Sequence, residues 1–360
     1  NSMPNLVHKF LERSAGFYPE KTAVIHEGRR TSYAEVNSLA NRLANGLIGA
    51  GAGPGDRVVL VCENSVAYVV GYYGVLKTGA TVVSLSTDLK HEGLAEIAAE
   101  LEPKAWIVSS KHEEAVRVVN EALPRRAPVA VLEFQRKGDG DEGCLPESMA
   151  GLPDSAPAAA IDPSTCAAII YTSGSAGKPK GVMLSHANIV ANTRSIVEYL
   201  GLTKNDVQMV VLPFFYVMGK SLLNTHIAVG GTVVINNRFA YTASALKQMA
   251  EEGVTGFSGV PSTYAQLLFR SPLAAYRDRL PSLRYCSQAG GHMARHVKTE
   301  LLKILPRHTK LIVMYGATEA SARLSYVPPE RLADKIDSIG IPIPGVAMKV
   351  LSPEGLELGP

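Results

Sequence analysis

Apolar and polar positions along this chain follow two periods. Ser32 and Glu35 have the spacing of a capping box ahead of Val36, Leu39, Leu43, Ala44, Leu47 and Ile48, whose helical interval stops at Gly49 and Gly51. The spacing predicts an amphipathic helix. Residues 58–62 are continuously apolar, 66–77 form a helix-length apolar segment closed by Gly79, and 82–85 are apolar again, which reads as buried strand, helix, strand. The pattern recurs as a helix over 94–101, a strand over 106–108, a helix over 113–123 and a strand over 129–132. Strands that are apolar throughout, set between helices, belong to a parallel sheet covered on both faces.

Between 135 and 165 the pattern lapses into Gly, Pro, Asp, Ser and Ala, as in Gly138-Asp139-Gly140-Asp141, which predicts a surface linker. Alternation resumes with strands over 167–171, 208–212, 232–235 and 311–314 and helices over about 185–199, 222–229 and 243–252. Val346, Met348, Val350 and Leu351 then read as a strand, Ser352-Pro353-Glu354-Gly355 as a turn, and the final residues as half a hairpin lacking its second arm. The expected fold class is α/β, with two packed subdomains built on largely parallel, helix-covered sheets. The first spans 3–165, with its linker at 135–165, the second 166–338, and 339–360 begin a small β-barrel-like piece. Asn1 and Ser2 precede the first methionine, Met3, and read as a remnant of tag removal.

Composition narrows the function. The 360 residues are 46% hydrophobic and 19% charged, enough for a large core, and a net charge of +3 supplies no basic stripe for nucleic acid. No apolar run reaches the roughly 18 residues of a membrane span, and the amino end lacks a signal-peptide pattern. The four cysteines, Cys62, Cys144, Cys166 and Cys286, are too scattered for a zinc ribbon or disulfide framework. A cytoplasmic protein with reduced thiols is expected.

Candidate chemistry centres on Tyr171-Thr172-Ser173-Gly174-Ser175-Ala176-Gly177-Lys178-Pro179-Lys180-Gly181-Val182. Glycines let backbone N–H groups approach phosphate oxygens, hydroxyls donate to them, and lysines offset their charge. A Walker loop is excluded, since Pro179 follows Lys178 where Ser or Thr is required. Pro179 also keeps a helix from starting at the loop, so phosphates would meet a flap rather than a helix dipole. A solvent-exposed turn remains the plainer alternative for the composition alone.

That string resembles the phosphate-binding signature of the adenylate-forming superfamily: acyl- and aryl-CoA synthetases, nonribosomal peptide adenylation domains and luciferase. Other segments resemble its further motifs in order. They are Leu212-Pro213-Phe214-Phe215-Tyr216-Val217-Met218-Gly219, Gly259-Val260-Pro261-Ser262-Thr263, Gln288-Ala289-Gly290-Gly291, Tyr315-Gly316-Ala317-Thr318-Glu319 and Ile339-Gly340-Ile341-Pro342-Ile343-Pro344-Gly345. The resemblance, closest to AMP-forming acyl-CoA synthetases, implies that ATP and a carboxylic acid give an acyl-adenylate and pyrophosphate, and that CoA then takes the acyl group. It further implies Mg²⁺ at Glu319, the α-phosphate at Thr318, adenine against Tyr315 and Gly316 and along Gln288, Ala289, Gly290 and Gly291, and the β- and γ-phosphates at Thr172, Ser173, Gly174, Ser175, Gly177 and Lys180. Thr318, Glu319 and Lys180 are the candidate catalytic residues. The family's ribose-binding Asp and its C-terminal domain with the catalytic Lys are expected beyond residue 360, so this chain alone is expected to have little activity.

Substrate-pocket candidates are Tyr216, Val217, Met218, Gly219, Ser258, Gly259 and Met314. The pocket segment has no Asp to pair with an ammonium group, which favours a fatty or aromatic acid over an amino acid. Tyr216 stands where CoA synthetases commonly have His. Lys220 either meets a polar or carboxylated substrate tail or is a surface lysine. Cys286 lacks an evident His–carboxylate partner and reads as a small buried residue, and His292 and His296 as a solvated helix face. Two alternatives stay open: transfer to an acyl carrier protein instead of CoA, and a non-catalytic nucleotide-binding module.

Overall fold

The computed structural model describes residues 2–133, 144–172 and 177–359. Residues 135–143 of the expected linker and the phosphate-loop candidates Ser173, Gly174 and Ser175 therefore lie outside the described residues. In chain order the strands are β1 (Thr22–His26), β2 (Arg29–Ser32), β3 (Arg57–Val61), β4 (Thr81–Ser84), β5 (Ala105–Val108), β6 (Val129–Val131), β7 (Cys166–Thr172), β8 (Lys180–Ser185), β9 (Val207–Val210), β10 (Thr232–Ile235), β11 (Gly256–Gly259), β12 (Tyr285–Gln288), β13 (Lys310–Ala317), β14 (Ala322–Tyr326), β15 (Ile341–Pro342), β16 (Val350–Leu351) and β17 (Glu357–Leu358).

Among the described residues these strands make a six-stranded sheet, ordered β6-β5-β3-β4-β7-β8, and a nine-stranded sheet, ordered β15-β14-β13-β12-β11-β9-β10-β1-β2. The inner strands of both sheets are parallel, and β8, β2, β14 and β15 add antiparallel edges. The α/β class is thus as the hydrophobic pattern implies. The expected break at 165 does not coincide with a sheet boundary: β1 and β2 join the nine-stranded sheet through β10, and β7 and β8 join the six-stranded sheet through β4. Periodicity reveals which segments are strands but not which strands pair.

The expected helix after Ser32 runs Tyr33–Gly49, with the Ser32 hydroxyl accepting from the Glu35 N–H, while the Glu35 carboxylate turns to Arg29 at 3.2 Å. Helices Val66–Lys77 and Val217–Val229 lie between the two sheets, in one apolar core that both sheets share. Several of their polar groups are matched pairwise. Tyr68 donates to Ser84 Oγ (2.6 Å) and the Phe214 carbonyl (3.1 Å), Tyr73 donates to Asn224 Oδ1 (2.9 Å), and Asn224 Nδ2 donates to Tyr72 (2.9 Å). Buried polar groups left without such partners would each cost about 1–3 kcal/mol.

The carboxyl-terminal residues differ from expectation. β16 and β17 pair antiparallel, Leu351 opposite Glu357, so the hairpin has its second arm across the Ser352 turn. β15 extends the nine-stranded sheet through Ser325 and Tyr326 of β14. Among the described residues, no helix is long and apolar enough to cross a membrane.

Candidate active site

Ligands of open parallel α/β sheets bind outside the carboxyl ends of the strands. Here β11 ends at Gly259, β12 at Gln288 and β13 at Ala317, three neighbouring parallel strands that deliver the expected pocket turn, glycine loop and Tyr-Gly-x-Thr-Glu segment to one edge. The Ala289 N–H donates to the Gly259 carbonyl at 3.3 Å, tying two of these ends together. From the other sheet, β7 and β8 form a hairpin with Thr172 opposite Lys180, and β8 packs against the short turn Thr318–Ala320. Segments remote in sequence thus form one site where the sheets meet. The chain re-enters a strand at Lys180 and no helix begins between there and His186, as expected for a flap rather than a helix start.

Gly177 has φ +87°, and Lys180 is exposed beside it. In the glycine loop, Gln288 is buried and its amide donates to the Gly291 carbonyl at 2.7 Å, while Gly290 has φ +84°. A Cβ at Gly290 would meet Val260 Cγ1 at 3.0 Å, so backbone conformation and the neighbouring pocket turn both demand glycine. Ala289 is buried.

Tyr315 is exposed, Thr318 half-buried and Glu319 exposed, facing a cavity of about 490 Å³ shared with Asn192, Ser195, Glu198 and Ser321. Gly316 is required sterically. The β13–β14 ladder shifts register between Tyr315 and Gly316, and a Cβ there would lie 1.7 Å from the Ala322 carbonyl oxygen. Gly316→Ala is therefore expected to destabilise the protein by more than about 2 kcal/mol and displace Thr318 and Glu319, measured as a lower urea midpoint together with weaker ATP binding.

The pocket candidates fall into two groups. Tyr216 is 54% exposed, with its ring 4.5 Å from that of Phe215, so it lies at the surface of this edge. Val217 and Met218 are half-buried at the start of helix Val217–Val229, and a Cβ on Gly219 would strike the Pro213 carbonyl at 2.1 Å. Met314 and Ala289 are buried in an apolar cluster against which Met218, Tyr199 and Tyr326 pack. Ser258 is wholly buried, 2.6 Å from Ser287 Oγ and accepting from Gln208 Nε2 at 3.1 Å, while Gln208 Oε1 accepts from Tyr285 at 3.0 Å. Gly259 is buried beside it. Gln208, Ser287 and Tyr285 carry no motif, and only strand pairing brings them to Ser258.

Lys220 corrects the surface-lysine alternative, being 2% exposed. Its ammonium donates to Ser84 Oγ at 3.1 Å, sits 5.1 Å from the Tyr72 ring centre and has no carboxylate among the described residues, and burial pushes its pKa down to about 7. Cys286 is buried, with its thiol pushed up to about 12 by desolvation, consistent with packing rather than nucleophilic attack. His292 and His296 are exposed, and no cluster of three or more His, Cys, Asp or Glu residues suited to a metal exists among the described residues. The Glu319 carboxylate, in a cavity it shares with Glu198, nonetheless fits Mg²⁺, which is held by one or two carboxylates with phosphate and water oxygens completing the shell.

Comparison with known proteins agrees with this geometry. The model of the AMP-binding enzyme family matches residues 11–360. A feruloyl-CoA synthase from Amycolatopsis is 30% identical over 350 residues, covering 97% of this chain and 66% of the relative, so the chain spans just under two thirds of that protein's length. The fold matches that of the N-terminal domain of FACL13 from Mycobacterium tuberculosis with TM-score 0.86 at 23% identity, covering 98% of this chain and 86% of that one. Apo MatB from Rhodopseudomonas palustris matches with TM-score 0.84 at 26% identity, over 99% of this chain and 68% of that one. With the β7–β8 hairpin, glycine loop and Thr318–Glu319 turn gathered at one sheet edge, the chain belongs to the AMP-binding enzyme family, whose relatives here are adenylate-forming ligases and synthetases.

Proposed function

We propose that this protein is an AMP-forming acid–thiol ligase, activating a fatty or aromatic carboxylic acid with ATP and passing the acyl group to CoA. The observation that carries this reading is the packing of β8, the strand that begins at Lys180 opposite Thr172, against the Thr318–Ala320 turn that follows β13. A substrate carboxylate oxygen bonds to the α-phosphorus of ATP as the bond to pyrophosphate breaks. The thiol sulfur then bonds to the acyl carbon, AMP leaves, and the thiol proton passes to solvent. Negative charge builds on phosphate oxygens in the first step, and donors fixed in advance lower its cost. Lys180 and Thr172 contribute at the pyrophosphate end and Thr318 at the α-phosphate. Mg²⁺ held by Glu319 would offset charge on the phosphates. Tyr315 and the Gln288–Gly291 turn bound the base.

Met218, Ala289 and Met314 give the acyl side an apolar wall, and the pocket segment 212–219 has no carboxylate for an ammonium group. A cytoplasmic setting suits its free cysteines. Incubating the full-length protein with ATP, Mg²⁺ and an acid is expected to release AMP, with a thioester accumulating only when CoA is added. Thioester formation on a phosphopantetheinylated carrier protein but not on CoA would replace the acceptor in this reading, and AMP release independent of any acid would contradict it.

A further inference from the structure

Arg323, one residue into β14, is 2% exposed, yet no carboxylate pairs with it among the described residues. A buried guanidinium ordinarily has an anion beside it, because an unpaired charge removed from water costs several kcal/mol. Here Nη1 donates to the Tyr199 hydroxyl at 2.8 Å, and Nε has no hydrogen-bond partner among the described residues. The backbone is held from the opposite side: the Asn192 side chain accepts from the Arg323 N–H at 3.4 Å and donates to its carbonyl at 2.9 Å. The strand is thereby pinned to helix His186–Leu200, with the guanidinium short of partners.

Its position is equally specific. Arg323 lies opposite Gly316 in the β13–β14 ladder, in the segment that ends in Thr318 and Glu319. The Tyr199 hydroxyl that receives Nη1 is also 2.9 Å from Met314 Sδ, and Tyr199 stacks on Tyr326 with ring centres 4.5 Å apart. The guanidinium therefore sits one hydroxyl away from Met314, at the border of the apolar cluster that Met218 and Ala289 share.

We infer that Arg323 determines specificity for the far end of the acid, and that the substrate carries a second carboxylate. This rests on the ligase reading above and deepens it. A planar guanidinium with a free N–H is built to take a carboxylate in a forked pair, and the bound anion would supply the missing counter-charge. A site organised around such a pair rejects an analogue that lacks the polar group far more strongly than an apolar pocket rejects one extra methylene. Lys220 does not share this role, since its ammonium is directed at Ser84 and the Tyr72 ring.

The test measures pyrophosphate exchange by the full-length protein with α,ω-dicarboxylic acids, monocarboxylic acids of equal length, and aromatic pairs such as phthalate and benzoate. Wild type is expected to favour the best diacid over its monoacid by at least about tenfold in kcat/KM. Arg323→Met is expected to invert that ratio while still exchanging with the monoacid, and Arg323→Lys to keep part of the diacid preference. Equal or better use of monoacids by wild type overturns the inference without any variant needing to fold. Loss of all acids in equal proportion in Arg323→Met, with Arg323→Lys restoring them equally, also overturns it, since a purely structural brace would behave that way. If no acid of any kind supports exchange, the ligase reading itself fails, a result distinct from a monoacid preference.

Discussion

Glu319→Gln is expected to slow adenylate formation by about 10²–10³-fold while leaving the fold intact. The side chain is exposed on the Thr318–Ala320 turn, and the substitution keeps its size. Changing an exposed side chain away from caps and ion pairs normally alters stability by less than about 0.5 kcal/mol. The turn itself is fixed by β13, by the Gly316 contact and by Ser321, whose φ is +70°, none of which depends on the carboxylate. The loss should therefore appear in rate and in Mg²⁺ dependence, not in the melting temperature. Raising Mg²⁺ is expected to recover part of the activity if Glu319 contributes to holding the ion. Unchanged exchange at low Mg²⁺ would remove Glu319 from the metal role.

Lys220→Met is expected to act in the opposite sense on stability, raising it by about 1–3 kcal/mol at neutral pH. The ammonium has one oxygen partner and an aromatic face, and a cation over a ring returns only about 1–2 kcal/mol of its desolvation cost. With its pKa drawn from 10.5 down to about 7, the folded chain lacks a proton that the unfolded chain holds between those two values. Wild-type stability therefore rises with pH across that window, and the lysine's penalty is full and constant below it. The advantage of Met should be largest at and below about pH 7 and fade toward pH 10. Urea titrations of both proteins across that range check this, and a Met variant equally destabilised at every pH would show that the ammonium is a needed partner rather than a burden.

Much of the fold could be read from local pattern. The helix Val66–Lys77 and the strand Thr232–Ile235 occur where the apolar runs place them, because a segment buried on every side leaves no ambiguity about its limits. The β1–β2 hairpin is less visible: Arg29 and Arg30 interrupt its apolar positions, and its partner β10 lies some two hundred residues away. β8 is hidden behind the glycine-rich loop, with its Lys180 and Gly181 exposed and only Leu184 buried. The order of the site motifs was legible, since each has local chemistry. Their meeting at one sheet edge was not, for it depends on strand order. Lys220 and Arg323 show the same limit. A charged residue is ordinarily at the surface, and only the packing of helix Val217–Val229 and the Asn192 clamp on β14 reveal that these two are buried without counter-ions among the described residues.

Acid-dependent exchange of labelled pyrophosphate into ATP, measured on the full-length protein, tests the central claim most directly, because it reports the reversible formation of an acyl-adenylate whatever thiol follows. The account predicts exchange that requires both an acid and Mg²⁺, is suppressed in Glu319→Gln, and is greatest with an acid bearing a second carboxylate. Absence of exchange with every fatty, aromatic and dicarboxylic acid, in a protein that binds ATP, would contradict it.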